Sequence, residues 1–560
     1  MKSYFAQHIG PAGAGHAEMN SKSRTANEVA ALLLAAYFLF FYGIGARSLW
    51  SPDEPRYAQV AREMLVTGEW IVPHLNGEVY PEKPPLYFWL VALLSKLGGE
   101  VTESTARIPS ATAATLIVLL TYFLGRGLMG RDEAFWGALI TATSAQFFVN
   151  AREGALDALL ALSILASLSL FYVGYAKSKP ALYLAGFLFI TPAVLTKGPV
   201  GFAIPPLVML VFLVVEILFR GVPARKQIWW FIGAAAFGLL LVAAMVAPWW
   251  FSAYQRSGGA YASLSILTKQ TLGRMIESYS HQRPWHYYLG EIWWQFFPWS
   301  VFLPLAAYRL KKNGYLRTNG GLRFILVWFL TVFLFFTFVS GKRSQYLMPL
   351  LPAGGLILGW TLVNANPGEG RLRERKAFSI PLALAALVSG AGVAVIVLYV
   401  YHHANRSIIS AVPPVAVFWA ILVTASLVCR DRPPKTALAC VIATTVLAVV
   451  YVYGHLSPVA DDFMSARPFC SDVLAASGKS DSIAFYRTYR PNIHFYMNRT
   501  IPRVDTEGGL RQALETTDRL LVILQAREQD SLIRDVQCKL ETIAQAKIGS
   551  REMVCLALWR

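Results

Sequence analysis

Apolar residues in this chain gather into long blocks, not into the stripe of a surface helix. An α-helix needs roughly 20 mostly apolar residues to cross a bilayer. On that measure the blocks predict spans near residues 28–46, 107–128, 132–150, 155–176, 181–196, 199–219, 228–252, 293–310, 322–340, 344–363, 379–401, 411–429 and 436–455. The fold class is therefore a polytopic α-helical membrane protein with about 13 transmembrane helices. One further apolar segment, PPLYFWLVALLSKLGG at 84–99, is short for a span and reads as an interfacial or half-inserted helix. Beyond residue 458 the pattern changes. DSIAFYR (481–487), RLLVILQA (519–526) and MVCLALW (553–559) read as strands, and GGLRQALETT (508–517) and QDSLIRDVQCKLE (529–541) as helices. Together they predict a small C-terminal α/β domain.

The polar connections give this string of spans a direction. One set is short and basic: Arg126 to Arg131, Lys177 to Lys179, Arg220 to Lys226, Arg309 to Arg323, Arg371 to Lys376 and Arg430 to Lys435. Lys and Arg bias places such loops, and the N-terminus at 1–27, in the cytoplasm. The other set holds two long segments, 47–106 and 253–292, and the tail at 458–560, and belongs on the opposite side of the transmembrane region 28–457. The first apolar run, from Val29, lacks a small-residue cleavage site and reads as an uncleaved signal anchor.

Composition agrees: 55% of the 560 residues are hydrophobic and 15% charged, against about a quarter charged in soluble chains. The net charge of +18 is explained first by the basic loops, and beyond them suits anionic lipid phosphates. Its scatter among short loops excludes a nucleic-acid partner. None of Cys429, Cys440, Cys470, Cys538 and Cys555 has metal-ligand spacing. The last three fall in the C-terminal domain, where the sequence allows one disulfide without choosing its pair.

Candidate chemistry concentrates on the outer side. SPDEPRYAQVAREML (51–65) has capping-box spacing at Ser51 and Glu54, with Pro52 at the first helical position. Tyr57, Val60, Ala61, Met64 and Leu65 then repeat at helical spacing, as on a helix lying along the membrane surface. Asp53 falls in its first turn, where dipole complementation is the ordinary role. An ionisable group at the bilayer boundary is also a functional candidate. NGEVYPEKPPLYFWL (76–90) sets Glu82 and Lys83 before two prolines. Lys83 there is either a snorkelling interfacial lysine or a rigidly held phosphate ligand. Asp157 lies just inside a span, Lys197 in the turn TKGPVG (196–201), and Lys342, Arg343 and Tyr346 in SGKRSQYLMP (340–349). The second long loop adds Arg274, His281 and Arg283. At least three acids and several cations thus share one membrane face, an arrangement suited to an anionic lipid substrate. No GxxxxGK[ST], GxSxG, HExxH or paired-histidine motif occurs.

DEPRYAQVAREML, YPEKPPLYFWL, ARIPSA, TKGPVG and SGKRSQYLMP, in this order over about residues 28–455, resemble the membrane glycosyltransferases of the C-fold. Within them the chain is most similar to the lipid A 4-amino-4-deoxy-L-arabinose transferases. The resemblance implies an undecaprenyl-phosphate sugar donor, a lipid A phosphate acceptor, a bacterial inner-membrane location with periplasmic active site and C-terminal domain, and inversion at the anomeric carbon. It implies Asp53 as the catalytic acidic residue, Asp157 as a second acid, and Lys83, Arg274 and Tyr346 around the donor phosphate. Tyr57, Tyr80 and Glu82 would line the pocket, with Lys197 and Lys342 as further binding candidates. The loop ahead of Arg274, SILTKQTLGR, departs from the family's acidic residue and histidine, which leaves divalent-metal use open. No cofactor is called for, and the reading is a monomer embedded in membrane lipids. Two alternatives stand beside it: a protein O-mannosyltransferase or hexuronosyltransferase with another sugar or acceptor, and a lipid flippase or transporter, whose inverted repeat is not evident here.

Overall fold

The computed structural model describes residues 11–50, 52–220, 222–261, 282–312, 314–364, 383, 387, 434–478, 481–535 and 539–559. Arg274, His281, Cys429, Cys538, Ser51, the span expected at 411–429 and, apart from residues 383 and 387, the span expected at 379–401 lie outside them.

Among the described residues, nine helical segments are long and apolar enough to cross a membrane. Two further expected spans exist as interrupted helices. The first, expected at 132–150, is α5 (Arg131–Thr143) followed by α6 (Ala145–Arg152), with extended backbone at Ser144 between them. The second, expected at 293–310, is split into Tyr287–Gln295, a 3₁₀ turn at Trp299–Phe302 and Leu303–Lys312. Pro298 stands in this break, where it supplies no N–H to continue a helix. The breaks satisfy each other. Ala145 N–H donates to the Phe297 carbonyl at 2.9 Å, and Trp299 Nε1 donates to Thr143 Oγ1 at 2.9 Å. Inside a bilayer such freed groups have no water to turn to, so they must find protein partners. Hydropathy counts only apolar length and is blind to these breaks.

Close packing follows from small residues. A Cβ added at Gly359, in the helix Leu351–Val363, would lie 2.6 Å from the Gly137 amide nitrogen of α5. The two backbones therefore touch, as small residues permit in membrane helix pairs. Elsewhere, buried Glu216 near the end of α10 (Pro199–Arg220) pairs with Arg323 and accepts from Tyr175 Oη at 2.5 Å. Tyr175 ends α7 (Asp157–Lys177), and Arg323 begins the helix Gly320–Phe338. This cluster ties three helices together at the ends opposite those that carry Asp157, Lys197 and Arg343.

The segment 47–106 is built as a layered cap. It contains α2 (Asp53–Thr67), the hairpin of β1 (His74–Leu75) and β2 (Glu78–Val79), and α3 (Leu86–Gly98). At 13 residues, α3 is too short to span, in keeping with the interfacial helix expected there. Tyr57, Val60, Ala61 and Met64 of α2 are buried against Tyr87, Phe88, Val91 and Ala92 of α3. The capping box is corrected: α2 begins at Asp53 after an N-cap Pro52 that makes no side-chain bond, and Glu54 turns inward.

The C-terminal region carries a five-stranded sheet in the order β4-β3-β5-β7-β6. Its strands are β3 (Ser482–Tyr486), β4 (Arg503–Val504), β5 (Arg519–Gln525), β6 (Lys539–Ile548) and β7 (Arg551–Trp559). Alternation along β5 sends Leu521 and Ile523 to one buried face and Leu520, Val522 and Leu524 to the other. The helix expected at 529–541 ends at Asp535, and Lys539 opens a strand instead. Among the described strands this one pairs only with β7, and it has a bulge between Thr542 and Ala544, so its apolar alternation is weak. Cys470 and Cys555 are both buried free thiols, which removes that pairing from the disulfides the sequence allowed.

Candidate active site

A cavity of about 1020 Å³ opens between the cap and the helix bundle. One wall is apolar, with Val200, Phe202, Leu239, Val242, Phe335 and Phe336 among its residues. The other end is charged. Asp53, Glu82 and Asp157 face Arg56, Lys83, Lys197 and Arg343 there. Four cations against three carboxylates leave one positive charge in excess, a setting that attracts an anion.

Asp53 is the first residue of α2, where the helix dipole favours a carboxylate. Its Oδ2 lies 2.9 Å from an Arg343 guanidinium nitrogen, and its Oδ1 lies 3.6 Å from Arg56. Arg56 also reaches to 3.8 Å from Glu82. Asp157 is likewise the first residue of its helix, α7. It pairs at 2.5 Å with Lys197, whose ammonium sits 4.4 Å from the centre of the Tyr346 ring. Lys197 owes its place to the turn after it: α9 (Ile190–Lys197) stops at Gly198, whose φ of +70° a side chain would strain. Lys83 follows Glu82 ahead of the two prolines, and its carbonyl accepts from Tyr261 Oη at 2.7 Å. Tyr57 lines the cavity beneath Asp53. Burial first, and the Asp53 charge next, raise its phenol well above the usual range, so it stays a neutral donor.

The structure thus brings together Asp53, Tyr57, Glu82, Lys83, Asp157, Lys197 and Tyr346. Two expected members are elsewhere. Tyr80 is buried outside the cavity lining; it packs on Phe88 and donates to Glu82 Oε2 at 3.3 Å, so it supports a lining residue instead of being one. Lys342 turns away and donates to the Val339 carbonyl at 2.6 Å and the Arg283 carbonyl at 3.3 Å. Arg343 has extended backbone, so successive side chains point to opposite sides. The lysine therefore caps the preceding helix while Arg343 enters the site.

Of the charged cavity residues, Arg56 was not named by the motif reading, and Arg343 was named in SGKRSQYLMP but given no role in the site. The signal for Arg343 was its alternation with Lys342, and for Arg56 its helical spacing of three from Asp53. A supporting shell was also missed. Glu54 is 1% exposed and bound by Arg107 at 2.8 and 3.1 Å, by Arg47 at 3.0 Å and by the Gly154 N–H at 2.9 Å. Burial opposes its charge, yet Arg107 and Arg47 hold its pKa at about 2. Glu153 next door behaves in the opposite sense: burial first, and the Glu54 charge next, raise it to about 7. Among the described residues no group of three or more His, Cys, Asp and Glu side chains is placed to hold a metal ion.

The Dolichyl-phosphate-mannose-protein mannosyltransferase family matches residues 26–256. An uncharacterized protein of Aquifex aeolicus is 32% identical over 58% of this chain and 62% of its own length. The undecaprenyl phosphate-alpha-4-amino-4-deoxy-L-arabinose arabinosyl transferase of Shewanella sediminis is 31% identical over 66% of this chain and 65% of its own. The chain thus spans about three-fifths of the length of the curated relatives it matches. The crystal structure of ArnT from Cupriavidus metallidurans bound to undecaprenyl phosphate superposes with a TM-score of 0.77 at 19% identity, covering 94% of this chain and 97% of that one. The protein is a multi-pass membrane protein with the fold of the ArnT crystal structure, and over part of its length it is similar to the mannosyltransferase family and to the aminoarabinose transferases.

Proposed function

We propose that this protein transfers 4-amino-4-deoxy-L-arabinose from undecaprenyl phosphate to a phosphate of lipid A at the periplasmic face of the inner membrane. One observation carries the reading: a cavity with an apolar wall ends at an acid, Asp53, held among Arg343, Arg56 and Lys83. A polyprenyl phosphate has the same division, a hydrocarbon tail and an anionic head. The names of the curated relatives support the sugar and the carrier. The positive-inside bias of the opposite loops supports a periplasmic site. On this reading residues 28–457 form the catalytic membrane domain and 458–560 a periplasmic domain.

The chemistry follows from the charges. The sugar–phosphate bond breaks at the anomeric carbon, and the departing lipid phosphate carries the electron pair. Lys83 and Arg343 meet that developing charge, so no acid is needed to protonate the leaving group. Arg274, carried over by motif alone, and the Tyr346 hydroxyl join them. The acceptor phosphate is already an anion and attacks from the opposite face, which inverts the configuration. Asp53 orients this attack and stabilises positive charge on the sugar ring. Lys197, paired with Asp157, sits across the cavity as a contact for the acceptor phosphate.

The match to a mannosyltransferase family favours a second reading, with another sugar or acceptor. Purified protein in lipid bilayers, offered defined polyprenyl-phosphate sugars and lipid A, separates the two. Transfer from the aminoarabinose donor alone supports the proposal; transfer only from a hexose donor overturns it.

A further inference from the structure

The segment 47–50, which leads toward the catalytic helix, is held by residues more than 400 positions away. Asp461, in the helix Ser457–Met464, accepts from the Ser48 N–H at 3.0 and 3.1 Å, from Ser48 Oγ at 2.5 Å and from the Trp50 indole N–H. The next N–H, that of Leu49, donates to Tyr496 Oη at 2.8 Å. Tyr496 belongs to the helix Pro491–Met497 of the C-terminal domain and donates in turn to Glu103 at 2.7 Å. Arg467 pairs with that same glutamate. Ser48 and Leu49 are fully buried, so these donors have no water to fall back on.

We infer that Asp461 is a positioning residue for Asp53, and that the C-terminal domain serves to aim the catalytic helix. Three facts converge. Helix α2 starts at Asp53 with no side-chain cap, so its first turn takes its orientation from the segment before it. That segment is gripped on one side by Asp461 and Tyr496. On the other side Arg107 donates to the Ser48 carbonyl at 2.8 Å while also holding Glu54. The Trp50 ring lies 4.6 Å beneath the Arg47 guanidinium, which is itself bonded to Glu54. The clamp therefore connects Asp461 to the residue beside Asp53 through packed groups at each step. Further along α2, Arg62 donates to the Phe495 carbonyl at 2.6 Å, so the domain follows the helix over more than two turns. Lys83 and Lys197 stand on elements other than those that form the clamp.

The inference rests on the proposed transferase activity, and its test keeps the two apart. Full-length protein in nanodiscs is compared as wild type, Asp461→Ala, Asp461→Asn and Tyr496→Phe. The readouts are kcat and donor KM for aminoarabinose transfer, undecaprenyl phosphate binding, and hydrogen–deuterium exchange. A displacement of about 1 Å far from the chemistry costs on the order of 10²-fold in rate. Asp461→Ala should lower kcat by about that factor, with donor KM and undecaprenyl phosphate binding within about two-fold. Asp461→Asn, which keeps one accepting oxygen, should fall between it and wild type. Tyr496→Phe, which leaves the Ser457–Met464 helix intact, should show the same signature at smaller size. Exchange should rise in the peptide covering residues 47–57 and not in the cavity helices. Unchanged kcat, a loss confined to KM, or unchanged exchange at 47–57 overturns the inference. If wild type transfers no aminoarabinose, the functional reading fails, while the exchange result still decides whether Asp461 and Tyr496 hold this segment.

Discussion

Two adjacent carboxylates of one motif, Asp53 and Glu54, live in different worlds. On the inner side of the first turn of α2, Glu54 is buried and bound by Arg107, Arg47 and the Gly154 N–H. On the outer side, Asp53 faces a large cavity, and its arginine neighbours line that cavity with it. The closest acid–arginine contact is similar in the two, 2.8 Å for Glu54 and 2.9 Å for Asp53. The difference is access: the inner cluster is sealed and holds a shape, whereas a ligand entering the outer one meets charges already in place. Helix periodicity alone makes the split, since consecutive residues point about 100° apart.

The largest effect should come from the outer carboxylate. Asp53→Asn should lower transfer by about 10²- to 10⁴-fold in a purified assay, while its melting temperature stays near wild type. Glu54→Gln should do the reverse in kind, leaving two buried arginines without a counter-charge. Breaking a buried pair in this way costs about 3–5 kcal/mol, to be read as a lower Tm or loss of folded protein. If Glu54→Gln melted like wild type and only lost activity, the division between the two carboxylates would be wrong. Next in size, Arg343→Ala and Lys83→Ala should each weaken undecaprenyl phosphate binding by roughly 10- to 100-fold, the range for a lost hydrogen bond to a charged group. Lys342→Ala is the control, because that lysine caps a helix outside the cavity, and its binding should match wild type.

The smallest effect concerns pH. Glu54 is held at about 2, below its ordinary 4.5, so its stabilisation is present above pH 4.5 and lost as pH falls toward 2. Glu153 is raised from 4.5 to about 7, so its contribution is full below pH 4.5 and lost as pH rises through 7. Thermal melting of wild type and Glu153→Gln across this range should show a decline from pH 4.5 to 7 in wild type that the variant lacks. Equal slopes in both proteins would rule out that role for Glu153.

Much of this was legible in the chain. Apolar block length revealed the spans that fall among the described residues, and the motifs DEPRY, EKPP and TKGPVG carry Asp53, Lys83 and Lys197, which line one cavity. What could not be read were properties of partners distant in sequence. Glu54 looked like a capping residue because its cations, Arg47 and Arg107, are placed by folding and not by local spacing. Tyr80 and Lys342 fell inside matched motifs, yet a motif does not say which way a side chain turns. Ser144 and Pro298 interrupt apolar runs whose broken backbone groups pair with each other, which hydropathy does not register. Strand β6 was missed because an edge strand needs little alternation to hold one partner.

In the proposed reaction Asp53, in its arginine-lined cavity, directs the transfer of an amino sugar to lipid A. The most direct measurement is mass spectrometry of lipid A from cells that make the donor and carry either wild type or Asp53→Asn. Aminoarabinose is expected on lipid A phosphate with wild type, and none with the variant present at equal amount in the membrane. Equal addition in both, or none with wild type, would contradict it.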